Sequence, residues 1–312
     1  MKKWLLIFVL TIGAFAGAYA QFDTHFTHYW EMQSFYNPAA AGSTGKMNIY
    51  AAYSNQMTGF EHNPKSMLLN VDSPIPFIKG DHNLALGVIN DAIGLFKNQH
   101  LYLNYAYGLK LFKGRMVAGI QFGLVSSSFD GGEIILNDKN DPAFPSGQAD
   151  GNTFDVGAGF LYQHKYFYAG ISGLHLNSPL ILIGEKNEIQ IDPYFNFMAG
   201  GNIPLKNTLI TIQPSLQVMT DFVSWRTDIT ARGTYKYDEK IFFGGITYSP
   251  STSVALFLGA ELMNITLSYG YEIFTSGIGA KNGNHDIFLG YKFNLDMFKK
   301  EKNKHNSIRV LQ

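Results

Sequence analysis

Histidines, carboxylates and hydroxyls are the side chains that could carry chemistry in this chain, and few of them fall into a working arrangement. His25 and His28 stand three residues apart, a spacing that would aim two imidazoles at one ion on a helix. No carboxylate or third His follows in register, so no metal site is expected there. Asn137-Asp138-Lys139-Asn140-Asp141 resembles a Ca²⁺ loop only loosely. Lys139 and Pro142 break the ligand spacing and no bidentate Glu follows, so a solvated loop is expected instead. His100, His164, His175 and His285 are available as bases, yet none forms a recognisable pair with a nucleophilic Ser. A nucleophile elbow, a Walker A loop and an H-E-x-x-H helix are all missing. With 0 Cys, thiolate nucleophiles, disulfides and Cys-based zinc sites are excluded together. The absence of any strand-helix-strand unit removes a dinucleotide fold. A non-enzymatic protein without a cofactor is expected.

The remaining charges have a pattern of their own. Asp155, Arg226, Asp228, Arg232, Glu272, Asp286 and Lys292 sit on one face of segments whose other face is apolar or aromatic. Between Trp225 and Tyr237, for example, one face reads Arg226, Asp228, Thr230, Arg232, Thr234 and Lys236, which calls for water or paired charge rather than a dry core. Such alternation has a period of two and means strands. Leu101 to Leu111, Asn264 to Phe274 and Asp286 to Leu295 repeat it, with Leu, Ile, Tyr and Phe opposed to Asn, Ser, Thr, Gly and charged residues.

Strands are expected near 46–54, 65–73, 81–91, 99–111, 115–128, 153–163, 166–176, 193–203, 208–219, 225–237, 240–249, 253–261, 263–274 and 285–295, about fourteen in all, an even number as in bacterial outer-membrane barrels. Connections alternate between mostly long polar loops, such as Asn55 to Pro64, Ala92 to Asn98 and Asn177 to Asp192, and mostly tight turns, such as Phe112 to Gly114 and Asp238-Glu239. Long loops on one rim and short turns on the other describe a transmembrane barrel. A β-sandwich or a propeller would use shorter strands, bury one face of each in a dry core and show no such asymmetry. The fold expected is all-β, a transmembrane antiparallel β-barrel of the outer-membrane type. The seven charges listed above then face the lumen, and outer-membrane lipids face the apolar side.

Composition agrees. Charged residues are 15% and aromatics 15%, with 32 Gly among 312 residues, against roughly 25% charged in an ordinary soluble domain. The mean hydropathy of −0.04 is too low for a polytopic helical membrane protein. Lys plus Arg, 24, balances Asp plus Glu, 24, leaving no basic surface for nucleic acid.

At the start of the chain, Lys2-Lys3, the apolar run Trp4 to Phe15 and Ala18-Tyr19-Ala20 have the form of a secretory signal peptide over 1–20. The expected organisation continues with an N-terminal periplasmic segment over 21–45, the barrel over 46–295 and a basic periplasmic tail over 296–312 that carries Lys299, Lys300, Lys302, Lys304 and Arg309.

The N-terminal segment contains Phe26-Thr27-His28-Tyr29 and then Asn37-Pro38-Ala39-Ala40-Ala41-Gly42. It resembles the start of mature PorP/SprF proteins, in which a Phe-x-x-Tyr stretch leads to an Asn-Pro-Ala-x-x-Gly signature before the first strand. The chain departs from that pattern at His28 and Trp30-Glu31 and in its basic tail. The resemblance implies an outer-membrane barrel associated with type IX secretion and gliding in Bacteroidetes-type bacteria. It further implies a role in secreting or anchoring large cargo or adhesin proteins, alongside periplasmic lipoprotein-ring subunits. Physically, Pro38 restricts its own φ and the conformation of Asn37, and Gly42 gives freedom to enter the first strand. The segment suits either a structural turn or plug strand, or a docking surface. The docking reading assigns partner binding to Phe26, Tyr29, Trp30, Phe35, Tyr36, Asn37, Pro38 and Gly42, because exposed apolar area of that size should be covered by something.

Overall fold

The computed structural model describes residues 24–130, 148–184, 187–206, 209–250, 252–276 and 282–295. The expected signal peptide, the Asn137 to Asp141 loop and the basic tail lie outside them.

Among the described residues, seventeen strands follow a short helical entry made of α1 (Gln33–Tyr36) and a 3-10 turn (Pro38–Ala40). They are β1 (Met47–Asn55), β2 (Lys65–Pro74), β3 (Asp81–Ile93), β4 (Phe96–Leu111), β5 (Gly114–Asp130), β6 (Gln148–Gln163), β7 (Phe167–Leu174), β8 (Leu180–Ile183) and β9 (Asn187–Gln190). Beyond them come β10 (Tyr194–Gly201), β11 (Ile203–Pro204), β12 (Ile210–Thr220), β13 (Trp225–Tyr237), β14 (Lys240–Ser249), β15 (Ser253–Leu262), β16 (Ile265–Phe274) and β17 (Gly283–Phe293). Fourteen of these close an antiparallel barrel. Closure is made by β1 against β17, with Met47 opposite Phe293 and Asn55 opposite His285. Across the interruption between β7 and β12, β10 pairs with both. No edge is left among these strands, which is the condition for a sheet to cross a bilayer.

The two-residue alternation becomes an inside and an outside. On β4, Leu101, Leu103, Tyr105, Tyr107 and Leu109 are exposed, whereas Tyr102, Asn104 and Ala106 are buried. β16 and β17 do the same, with Leu267, Tyr269, Ile287, Leu289 and Tyr291 outward and Thr266, Ser268, Asp286 and Phe288 inward. An apolar girdle of this extent is stable against lipid and not against water.

Three features differ from the expectation. Ala92 to Asn98 is not a loop: β3 and β4 extend to pair Ile93 with Phe96, and the chain reverses at Gly94, where φ is +61°. Residues 175–193 are a long connection, but it carries a hairpin of its own, β8 paired with β9, whose Ile181 and Ile183 pack on Val125 and Ala149. Lastly, residues 24–45 do not form a segment beside the barrel. They run through the lumen, from Thr24 at the long-loop rim, near Asp91, Asp192 and Asp221, to Thr44 at the short-turn rim, where Asn48 of β1 donates to its hydroxyl at 2.8 Å. A lumen lined by Asn, Ser, Thr and charged groups would otherwise be wet, and the segment replaces that water with aromatic bulk and matched polar partners.

Candidate functional site

The site with the greatest density of sequence-specific contacts is the filled lumen. Phe26, Tyr29, Trp30, Met32, Phe35 and Tyr36 are all buried, none more than 6% exposed. They form one cluster with Tyr50, Leu68, Tyr102, Met198, Phe257 and Phe288 of the wall. The sequence-level expectation that these side chains form an accessible docking surface is therefore corrected. Their apolar area is covered by the barrel itself.

The segment meets two unlike walls. Along β13 to β17 it meets charge. His25 Nε2 lies 3.1 Å from Asp228, and Arg226 lies 3.1 Å from Asp228 and 2.8 Å from Glu272. The backbone N–H of Thr27 donates to Asp286 at 2.6 Å. Glu31 receives Arg232 at 3.2 Å and approaches Lys292 at 3.9 Å, and Lys292 also pairs with Glu261 at 2.7 Å. The Arg232 guanidinium stacks over the Trp30 ring, 5.1 Å from its centroid, a geometry in which the ring quadrupole attracts the cation. Buried charges survive only when paired and hydrogen-bonded, and here each of these wall charges has an opposite charge or a backbone donor. His28 is held between Phe257 and Phe288.

Along β4 to β7 the segment meets small and neutral groups. The Asn37 side chain accepts from the Ala39 N–H at 2.9 Å, capping the 3-10 turn. Its amide group donates to the carbonyls of Phe160 and Ile171 at 3.1 and 3.3 Å. Ser172 donates to the Tyr36 carbonyl and Asn104 to the Ser34 carbonyl, each at 2.7 Å. Ala39, Ala40 and Ala41 pack on Ala85, Ala106, Val117 and Leu161. The turn approaches so closely that a Cβ at Gly119 would meet the backbone of Pro38 and Ala39, and one at Gly159 would meet the side-chain amide oxygen of Asn37. At these two positions the strand glycines are clearance for the turn.

The Asn-Pro-Ala-x-x-Gly signature thus has a physical account. Asn37 is extended, with φ −142°, as a residue before proline prefers. Pro38 occupies the first helical position, where its missing N–H costs nothing. Gly42 adopts φ +62° and donates to Asp72 at 3.1 Å as the chain turns into β1.

Of the charges expected in the lumen, Arg226, Asp228, Arg232, Glu272, Asp286 and Lys292 share the charged wall. Asp155 stands apart, on β6 between His100 and His175. His25 and His28 diverge, one to Asp228 and the other into the aromatic stack. Sequence reasoning missed Glu31, which faces two wall cations. It also missed the convergence of His100 and His175, residues 75 positions apart whose only common signal is strand register.

Comparison with known proteins agrees with this architecture. The profile of the type IX secretion system membrane protein PorP/SprF family matches residues 18–291. No curated protein sequence matches the chain. Among solved structures, the CymD monoaromatic hydrocarbon channel is similar, with TM-score 0.52 and 11% identity over 84% of this chain and 93% of that one. The Ralstonia pickettii toluene transporter TbuX is similar at TM-score 0.49 and 11% identity, over 83% of this chain and 93% of its own. At 11% identity the likeness to CymD is one of fold, an outer-membrane barrel. The chain belongs to the PorP/SprF family.

Proposed function

We propose that this PorP/SprF barrel is a non-enzymatic, closed scaffold of the type IX secretion machinery. It supports the secretion or surface anchoring of large cargo or adhesin proteins, together with periplasmic lipoprotein-ring subunits. Membership of the family supports the secretion context. A single structural observation carries the scaffold role: the lumen is occupied by the chain's own residues 24–45, bonded to both walls. The alternative, a channel for small or hydrophobic solutes, would require that segment to leave.

A closed barrel works through its rims. The short-turn rim, which is periplasmic in bacterial barrels, projects Phe77, Phe112 and Met263, exposed at 86%, 76% and 85%. Large apolar tips on tight turns suit a protein neighbour or the membrane interface. On this reading periplasmic subunits dock at this rim, rather than at the aromatic cluster of the lumen.

The test is an affinity pull-down of the tagged, full-length protein from detergent-solubilised outer membranes, beside a Phe77→Ser/Phe112→Ser/Met263→Ser variant whose lumen is untouched. Recovery of periplasmic lipoproteins or a large secreted adhesin with the wild type, reduced in the variant, is expected. A barrel recovered alone from both would overturn the scaffold reading.

A further inference from the structure

We infer that His100, Asp155 and His175 form a binding site for a divalent transition-metal ion of the zinc class. His100 is on β4, Asp155 on β6, and His175 follows β7. All three are buried, and their ligand atoms lie within 4.8 Å of one another. His175 Nδ1 is 2.9 Å from one oxygen of Asp155, and His100 Nε2 is 3.2 Å from the other. An ion bound tetrahedrally by nitrogen and oxygen at about 2.0–2.1 Å holds neighbouring ligand atoms about 3.3 Å apart. The two contacts between Asp155 and the imidazoles fall near that length, one through each carboxylate oxygen.

The second of those contacts is close without being a hydrogen bond: His100 Nε2 and the facing Asp155 oxygen are buried and lack hydrogen-bond alignment with any partner. The register explains how they meet. Gly123 of β5 lies opposite Asp155 and opposite Tyr102, so the His100 ring crosses the strand where there is no side chain. A Cβ at Gly123 would run into its Nε2.

Charge favours a cation. With neutral imidazoles the group is a buried −1, which is costly unless compensated. His100 and His175 line a cavity of about 310 Å³ at the long-loop rim, shared with Asp91, Asp192 and Asp221 and with no Lys or Arg among the described residues. That cavity supplies an entry path and an open fourth position for water or an external ligand. Two imidazoles and one carboxylate suit Zn²⁺ and its first-row neighbours rather than Mg²⁺ or Ca²⁺, which prefer all-oxygen shells.

The test uses the full-length protein folded in detergent, stripped with a chelator and titrated with Zn²⁺. Co²⁺ serves as a spectroscopic reporter and Mg²⁺ as a control. The expected result is about one Zn²⁺ per barrel and the visible absorption of low-symmetry Co²⁺, with no response to Mg²⁺. Asp155→Asn and His175→Gln should each weaken Zn²⁺ by more than about a hundredfold, beyond the loss typical of an outer-shell partner. Gly123→Ala keeps every ligand but displaces His100, and should weaken binding less, by about tenfold. Should a ligand variant fail to fold, judged by heat-modifiable migration, the wild-type titration and Gly123→Ala decide. A folded wild-type barrel that takes up no Zn²⁺, or binding indifferent to these variants, would overturn the proposal and leave the triad a hydrogen-bonded cluster only.

Discussion

The two walls that hold the lumen segment do so by different physics. Along β13 to β17 the contacts are long side chains of opposite charge, among them Arg226, Asp228, Arg232 and Glu31. Along β4 to β7 they are an asparagine, three alanines and glycine clearance. Charged pairs fix orientation but carry a desolvation cost that offsets much of their attraction. Close backbone packing carries little such cost and tolerates almost no added volume. The charged wall should therefore fail when a partner is removed, and the small wall when an atom is added.

Arg226→Met puts the greatest strain on that contrast. It leaves Glu272 buried without its cation and Asp228 with His25 alone, and a loss of about 3–5 kcal/mol in unfolding free energy is expected, read from urea titrations in lipid vesicles. Next comes Gly119→Val. The added volume meets the Pro38-Ala39 backbone, which cannot move without dragging the turn, so about 3 kcal/mol is expected. Unlike the first variant, it should expose residues 24–45 to protease while the strands of the barrel stay paired. Asn37→Ala removes the cap and two bonds to wall carbonyls and should cost about 2 kcal/mol, with the same protease signature in weaker form.

The smallest effect at neutral pH sharpens the comparison from within the charged wall. His28 has no hydrogen-bond partner for its buried Nε2, so His28→Phe should be neutral or slightly stabilising at pH 7.

The exterior of the barrel was legible because a single rule, alternation, governs every lipid-facing strand. Leu101, Leu103 and Tyr105 advertise their side of the sheet without reference to any other strand. The inside obeys no local rule. Asn37, Pro38 and Gly42 stood out as a turn, yet nothing nearby in sequence indicates that Gly119, Gly159 and Ser172 are its seat. The aromatic cluster read as surface needing a cover because its cover lies up to 262 residues away, as Phe288 does from Phe26. The His100-Asp155-His175 group required the register of β4, β5 and β6, which period-two patterning leaves undetermined. Glycines at 119 and 123 were visible, but not what they make room for.

The claim on which the rest depends is that residues 24–45 close the barrel. Single-channel recording in planar bilayers tests it directly, with the wild-type chain beside one in which residues 24–41 are deleted. The account predicts no steady conductance from the wild type and open, long-lived conductance from the deletion. A wild-type barrel that conducts steadily, indistinguishable from the deletion, would contradict it and return the chain to the channel reading.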